Sequence, residues 1–384
     1  MSLIERSSDN FLSQWWWTVD RISLALFLLI MLVGILLVAT ASGPVALRLH
    51  LPETYFASHQ LMILPVAIAI MIGVSMLSPT WIRRLGVVLF LLAIVLLILT
   101  LFKGEEAKGA TRWIRVAGFS LQASEFAKPA LAVVCGWLFS MQRHRPSFPG
   151  QLWATIAYGT TALLLILQPD FGMLMMVTGI WATQYFLNGL RISYILGGLV
   201  FIMTLVLIAY LSLSHVAARI DTFLNSEAGD RYQVERSLDA FAGGSWFGRG
   251  SGEGRVKEVL PDVHADFIFA VAGEEFGLIP SLGIIGLYIL VILRGLRYLR
   301  DDQDSFVVLA SAAMLVSFTM QTLINLGSTM HILPTKGMTL PFISYGGSSL
   351  LAMSLNIGMY LGLTRRRPKF RSRGIGNRSR TGFD

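Results

Sequence analysis

Apolar runs long enough to cross a bilayer recur along this chain, separated by short polar punctuation. Ile22 to Ala39 and Gly86 to Phe102 are nearly uninterrupted and approach the roughly 20 residues a helix needs to traverse the hydrocarbon core. Apolar windows predict about ten spans, near 22–42, 59–77, 86–102, 127–142, 154–168, 172–190, 192–213, 268–293, 307–327 and 348–364. The expected fold class is therefore all-α and polytopic. Its longest connection, about 50 residues between the seventh and eighth spans, exceeds what a connector needs and is a candidate functional element.

Composition agrees with that pattern. With 54% hydrophobic and 14% charged residues, nothing is left over for a separate soluble domain, so the organisation expected is a segment 1–21, a membrane domain 22–364 with a long loop at about 214–267, and a basic tail 365–384. The first apolar run is too long for a signal-peptide core and further spans follow it closely, so it reads as a retained helix. Trp15-Trp16-Trp17 just before it suits an interfacial aromatic belt. Cys135 is the single cysteine, which excludes a disulfide framework and a thiolate metal cluster.

An even number of spans puts both termini on one side. Arg83-Arg84, Arg143 with Arg145, Arg294 with Arg297 and Arg300, and Arg365-Arg366-Arg367 fall on the face of the N-terminus, and the positive-inside rule makes that face cytoplasmic. The net charge of +8 raises nucleic acid as a partner. Because RRRPKFRSR directly follows a span, anionic lipid headgroups explain it more simply.

Neither a tandem repeat nor a GxGxxG, Walker A or metal-ligand spacing is present. The glycine-rich run GGSWFGRGSGEG reads most simply as a flexible loop. More specific is a set of polar groups on the face opposite the basic tail: Arg112, Glu125 and Lys128 in RWIRVAGFSLQASEFAK, Asp170 in LQPDFG, and Lys336 with a Ser344/Gly346/Gly347/Ser348 turn in PTKGMTLPFISYGGSS. Asp262, Asp266, Glu274 and Glu275 gather at the mouth of the eighth apolar run. Ionisable groups at spans are costly unless paired or hydrated, and by default they mark pathways or sites. Simpler explanations stand beside this one: Glu125 and Lys128 at i and i+3 can merely pair, and Asp170 and Asp266 can merely cap helices.

These motifs carry a resemblance. QASEFAK (122–128), QPDFG (168–172), the stretch YQVERSLDAFAGGSWFGRGSGEGRVKEVLPDVHADFIFAVAGEEFG (232–277) and LPTKGMTLPFISYGGSS (333–349) make the chain resemble the FtsW/RodA/SpoVE (SEDS) family of bacterial cell-wall synthesis from about the first span to the last. GMTLPFISYGGSS with WWWTVDR looks more like the division branch than the elongation branch. Departures from the family pattern are Ala123 for a common Pro, Ala265 for Thr and His331 for Gly; His331 stays open between a substrate contact and interfacial packing.

The resemblance implies polymerisation of lipid II on the outer face of the cytoplasmic membrane, in complex with a class B penicillin-binding protein and other division proteins at the septum. That reaction needs a base for the acceptor hydroxyl and cations for the departing diphosphate. Asp266 is the expected base, with Asp170 as reserve. Lys128 and Lys336 are expected at the diphosphate, with Glu125 orienting one of them, and Arg112, Asp170, Lys257 and Ser344 complete the expected substrate-binding set. Glu274 and Glu275 should pair with loop or span cations, and Asp262 should matter least. No cofactor is certain; a divalent cation, Mg or Mn, could assist the diphosphate. A lipid II flippase and a noncatalytic scaffold for the division transpeptidase are the competing classes. A flippase would line a path across the membrane with charges, whereas here they gather at one face.

Overall fold

The computed structural model describes residues 11–107, 110–116, 119–189, 227–260, 263–333 and 337–365, with isolated positions between 193 and 211. The chain begins with a short helix α1 (Phe11–Thr18), followed by α2 (Arg21–Ala41), α3 (Gly43–Arg48), α4 (Tyr55–Ser75) and α5 (Pro79–Lys103). A three-stranded antiparallel meander, β1 (Glu105–Ala107), β2 (Ala110–Val116) and β3 (Phe119–Leu121), leads into α6 (Ala123–His144), α7 (Gly150–Leu167) and α8 (Phe171–Leu187). After the largely undescribed stretch come α9 (Glu227–Gly244), α10 (Val256–Val259), α11 (Ile268–Glu275), α12 (Leu278–Asp301), α13 (Ser305–Thr329) and α14 (Gly347–Leu363).

Local chemistry sets several of these boundaries. The Asp20, Ser78, Asp170 and Asp304 side chains each accept a backbone N–H of the helix that follows, satisfying donors that have no partner within the helix. Pro79 occupies the first turn of α5, where its missing N–H costs nothing. Among the described residues six helices are long and apolar enough to cross a membrane, and α8 and α14 are shorter apolar helices. Helix α5 exposes Val88, Leu91, Leu92 and Val95, as a lipid-facing helix does. Helices α13 and α14 form the interior, with Phe318, Met314, Ile357 and Met359 buried. The architecture is a mostly helical polytopic membrane fold. The seventh expected span, 192–213, lies outside the described residues apart from scattered positions.

Two features depart from the sequence expectation. The connection after α5 is not irregular: Ile114 pairs with Leu121 and Arg115 with Ser120 across β2 and β3, so the fold is not purely α. The eighth apolar run is not one helix. It breaks at Gly277, whose φ is 87°, a left-handed conformation that glycine reaches without penalty. All eight residues of α11 are buried, and eight residues span roughly 12 Å, too short to cross a bilayer. The hydrophobicity of 268–275 reflects enclosure by protein, a reading periodicity alone cannot separate from a membrane span.

Candidate active site

Asp266 ends the turn 263–266 just before α11 and is half-buried. The cap position of α11 is Phe267, which makes no side-chain capping bond, so Asp266 stands one residue outside the cap that the simpler explanation would give it. Two contacts position it. Asn325 of α13 donates through Nδ2 to the Asp266 carbonyl at 3.0 Å and to the Met338 carbonyl at 2.7 Å. One carboxylate oxygen lies beside Gly337, 3.6 Å from where a Cβ on that residue would stand. Gly337 follows Lys336, whose own placement lies outside the described residues, as does that of Asp262.

The segment 337–340 is held at a second point one helical turn along α13. Gln321 donates to the Thr339 carbonyl at 3.1 Å, to Thr339 Oγ1 at 3.2 Å and to Ser349 Oγ at 3.3 Å. Its own oxygen accepts from Lys128 Nζ at 2.6 Å, and Lys128 is paired with Glu125 at 2.8 Å. Both members of that pair are buried, so the ordinary i,i+3 pairing is present, in an enclosed setting that solvent does not screen. The amides Gln321 and Asn325 thus tie Lys128 on α6 and Asp266 before α11 to one connecting segment, 337–340. Neither was anticipated, although an uncharged amide inside an apolar span is itself a signal of a polar interior.

Asp170 accepts the Met173 N–H at 3.3 Å as the cap of α8, while its second oxygen is buried without a hydrogen bond. Burial pushes its carboxyl up, opposed by the positive field of Arg112. Arg112 donates to the Pro169 carbonyl at 2.9 Å, which fastens β2 to the α7–α8 turn. Glu125 and Lys128 also act electrostatically on Asp170, so Arg112, Asp170, Glu125 and Lys128 form one charge-balanced cluster. Ser348 completes the frame by accepting the Gln122 N–H at 3.2 Å and donating to the Ser120 carbonyl at 2.9 Å, which joins the start of α14 to that of α6.

Ser344 and Lys257 are committed elsewhere. The Ser344 hydroxyl accepts the Leu340 N–H at 2.8 Å, closing the 340–344 turn, and Tyr345 N–H bonds the His264 carbonyl at 2.9 Å. Lys257 belongs to a separate hub. Its ammonium meets Glu275 Oε1 at 2.7 Å and the Gly252 carbonyl at 2.6 Å. Glu275 Oε2 accepts Gly252 N–H at 3.1 Å, and Glu274 accepts the Arg255 and Val256 N–H groups at 3.0 and 2.9 Å. Arg249 approaches Glu274 at 3.7 Å. The glycine-rich run is thereby stitched to the end of α11, through Arg249 N–H to the Glu274 carbonyl and Gly250 N–H to the Glu275 carbonyl, both at 3.0 Å. It is a fastened loop, not a flexible one, because two buried carboxylates demand donors and the glycine backbone can come close enough to supply them.

His331 has φ 60° and is exposed. It occupies a left-handed position at the end of α13, a conformation in which His is among the tolerated residues. Among the described residues no group of three or more His, Cys, Asp or Glu side chains could hold a metal ion. Mg2+ often relies on one or two carboxylates plus substrate phosphates, and Asp266 could supply one such ligand.

Residues 20–369 match the model of the FtsW/RodA/SpoVE family, described as a cell cycle protein. The chain is 41% identical over 364 residues to a probable peptidoglycan glycosyltransferase FtsW of Caulobacter vibrioides, covering 94% of this chain and 93% of that protein. A protein of the same description from Trichlorobacter lovleyi is 34% identical over 340 residues, covering 86% and 89%. Among solved structures, one described as structural coordination of polymerization and crosslinking by a peptidoglycan synthase complex superposes with TM-score 0.74 at 24% identity, covering 90% of this chain and 97% of that one. The rod shape determining protein RodA of Thermus thermophilus gives 0.67 at 22%, covering 91% and 97%. These structural likenesses carry the fold alone.

Proposed function

The chain belongs to the FtsW/RodA/SpoVE family, and on that premise we propose that it is the peptidoglycan glycosyltransferase of cell division, polymerising lipid II into glycan strands and releasing undecaprenyl diphosphate. The observation that carries the reading at the level of residues is the Asp266 carboxylate, outside the helix cap and set against Gly337, on a frame shared with the buried Lys128.

In this reading the acceptor hydroxyl oxygen attacks the anomeric carbon of the donor while Asp266 takes its proton. The bond from that carbon to the diphosphate oxygen breaks, and the electron pair leaves with the lipid diphosphate. Cations near the leaving group favour the charge that develops there; Lys336, next to Gly337, is assigned that role. Lys128 contributes through the buried network, with Glu125 holding its ammonium. Arg112 and Asp170 support that pair from β2 and the α7–α8 turn, while Lys257 supports the glycine-rich loop and Ser344 the 340–344 turn.

The arrangement is assigned to the outer face of the inner membrane, with ten spans, both termini cytoplasmic and residues 214–267 as the catalytic loop. Recruitment to the septum and a complex with a class B penicillin-binding protein follow from the same family premise. One solved structure of the same fold, a peptidoglycan synthase complex coordinating polymerization and crosslinking, supports the partner.

The decisive experiment is Asp266→Asn in purified protein given labelled lipid II. Asn at this position keeps size and polarity and disturbs no side-chain helix cap. Rate should fall about 10²-fold or more while protein level and lipid II binding persist. Polymer formation near the wild-type rate would move the base elsewhere, with Asp170 next to be tested.

A further inference from the structure

The motif WWWTVDR plays no part in the chemistry above, and the structure gives it a place. Helix α1 is fastened at the N-terminal face: Trp15 Nε1–H donates to Ser75 Oγ at 2.9 Å, and Arg365 donates to Thr18 Oγ1 at 3.0 Å and the Met76 carbonyl at 2.9 Å. Asp20 receives Arg294 of α12 in a bidentate pair at 2.6 and 2.7 Å. Between these elements lies a recess of about 200 Å³ whose lining includes Trp17, Asp20, Arg21, Ile22, Arg294 and Tyr298.

Its charges do not cancel. Asp20 is committed to Arg294, to the Ser23 hydroxyl and to the Ile22 N–H. Arg21 has no hydrogen bond or ion pair among the described residues; its guanidinium lies 4.6 Å over the Trp17 ring and 5.5 Å over Trp16. That stacking fixes the plane of the group and leaves its N–H edge available, the geometry that matches phosphate oxygens. Among the described residues, one cation without an acidic partner therefore borders a cavity also lined by an indole and a tyrosine.

A second observation identifies the source of an anion there. From Ile22, on the recess wall, an exposed apolar stripe descends α2 through Leu29, Leu32 and Leu36, which are 41–57% exposed. Spacings of seven, three and four residues keep these side chains on one face. Soluble phosphate would have no use for the stripe, whereas acyl chains attached to a phosphate would.

We propose that this recess binds the phosphate of an anionic phospholipid in the leaflet on the N-terminal side, with the acyl chains lying along the α2 stripe. Arg21 supplies the charge-assisted contacts, Trp17 holds Arg21 in plane, and the Asp20–Arg294 pair sets the floor. The site is distinct from the candidate active site, which is built from α6, α13 and the segments beside α11.

The test is native mass spectrometry of the full-length, delipidated protein, offered phosphatidylglycerol, phosphatidylcholine or inorganic phosphate. The wild type should retain one phosphatidylglycerol more tightly than phosphatidylcholine, and millimolar inorganic phosphate should fail to displace it. Arg21→Gln should weaken retention about tenfold, the equivalent of about 1.4 kcal/mol. Trp17→Leu leaves the charge in place and should weaken it by a smaller factor, so the test does not rest on one variant. Arg366→Gln/Arg367→Gln in the tail should leave the tight event intact. Equal retention by wild type and both recess variants would overturn the proposal, as would displacement by inorganic phosphate or loss of binding in the tail variant alone.

Discussion

Glu275→Gln is the substitution whose cost can be worked most directly from the structure. The Glu275 side chain is fully buried and that of Lys257 is 7% exposed, so their 2.7 Å contact is shielded from screening by solvent. Removing the negative charge leaves the Lys257 ammonium enclosed with only carbonyls for company, Gly252 at 2.6 Å and Thr40 at 3.4 Å. Breaking one side of such a pair costs about 3–5 kcal/mol, or about two to three and a half powers of ten in the folding equilibrium at about 1.4 kcal/mol per factor of ten. Part of that cost is released at the loop, because Glu275 Oε2 also holds the Gly252 N–H at 3.1 Å. Lys257→Met should be similarly damaging for the mirror reason. The double variant Lys257→Met/Glu275→Gln removes both charges and should recover at least about 2 kcal/mol of the summed single costs, a coupling expected of residues in direct contact. Unfolding in mixed micelles, followed by tryptophan fluorescence, measures all four corners of the cycle. Single costs below about 1 kcal/mol, the range of exposed bridges, would refute the reasoning, because the hub would then be open to water and would not pin the glycine-rich loop.

Three further outcomes are expected. Lys128→Met should lower both stability and polymerisation; adding Glu125→Gln should restore stability by removing the orphaned charge without restoring turnover, and recovery of both would reduce the pair to a structural role. Because burial holds the Asp170 carboxyl above its ordinary value of 3.8, the folded state keeps a proton that the unfolded chain releases, so this residue's contribution makes stability fall as pH rises from about 3.8 through the raised folded value. Asp170→Asn, which still caps α8, should therefore gain stability relative to wild type across that window in pH-dependent unfolding, and a pH-independent difference would contradict it. A reporter fused after Arg367 should be cytoplasmic and one inserted near Gly229 periplasmic; finding both on one side would refute the even span count.

Much of the helical framework was legible because the membrane writes it plainly: α2, α4, α5, α7 and α13 follow apolar runs of bilayer length. Charge pairing inside α6 was legible too, since Glu125 and Lys128 stand three apart. What sequence alone could not reveal depends on contacts between distant segments. Nothing in the apolar run from Phe267 announces that Gly277 turns left-handed, nor that Glu274 and Glu275 bind backbone donors of the loop before it. The family resemblance offers Ser344 as a substrate contact; the structure adds that its hydroxyl accepts Leu340 N–H and closes a turn. Gln321 and Asn325 carry no charge, so a pattern of ionisable groups passes over them, although each holds the segment 337–340. The pairing of Glu274 and Glu275 with loop cations was expected, but that Lys257, eighteen residues earlier, is the partner of Glu275 shows only in the fold.

The break at Gly277 has a consequence for how the protein is made. Helix α12 is apolar along a bilayer-length stretch and can pass sideways into lipid on its own. Helix α11 ends in two carboxylates, and an ionised side chain resists that transfer. Its walls, chiefly α9, α2 and the stitched loop, precede it in the chain, whereas Asn325 of α13 and Gly337, which lie against Asp266, are synthesised later. During biogenesis the segment 268–275 can meet most of its protein walls as it emerges, whereas the closing step around Asp266 awaits α13 and the segment after it. The candidate base next to it at Asp266 acquires its neighbours at that closing step, so an immature chain can be fully inserted and yet lack an assembled catalytic centre.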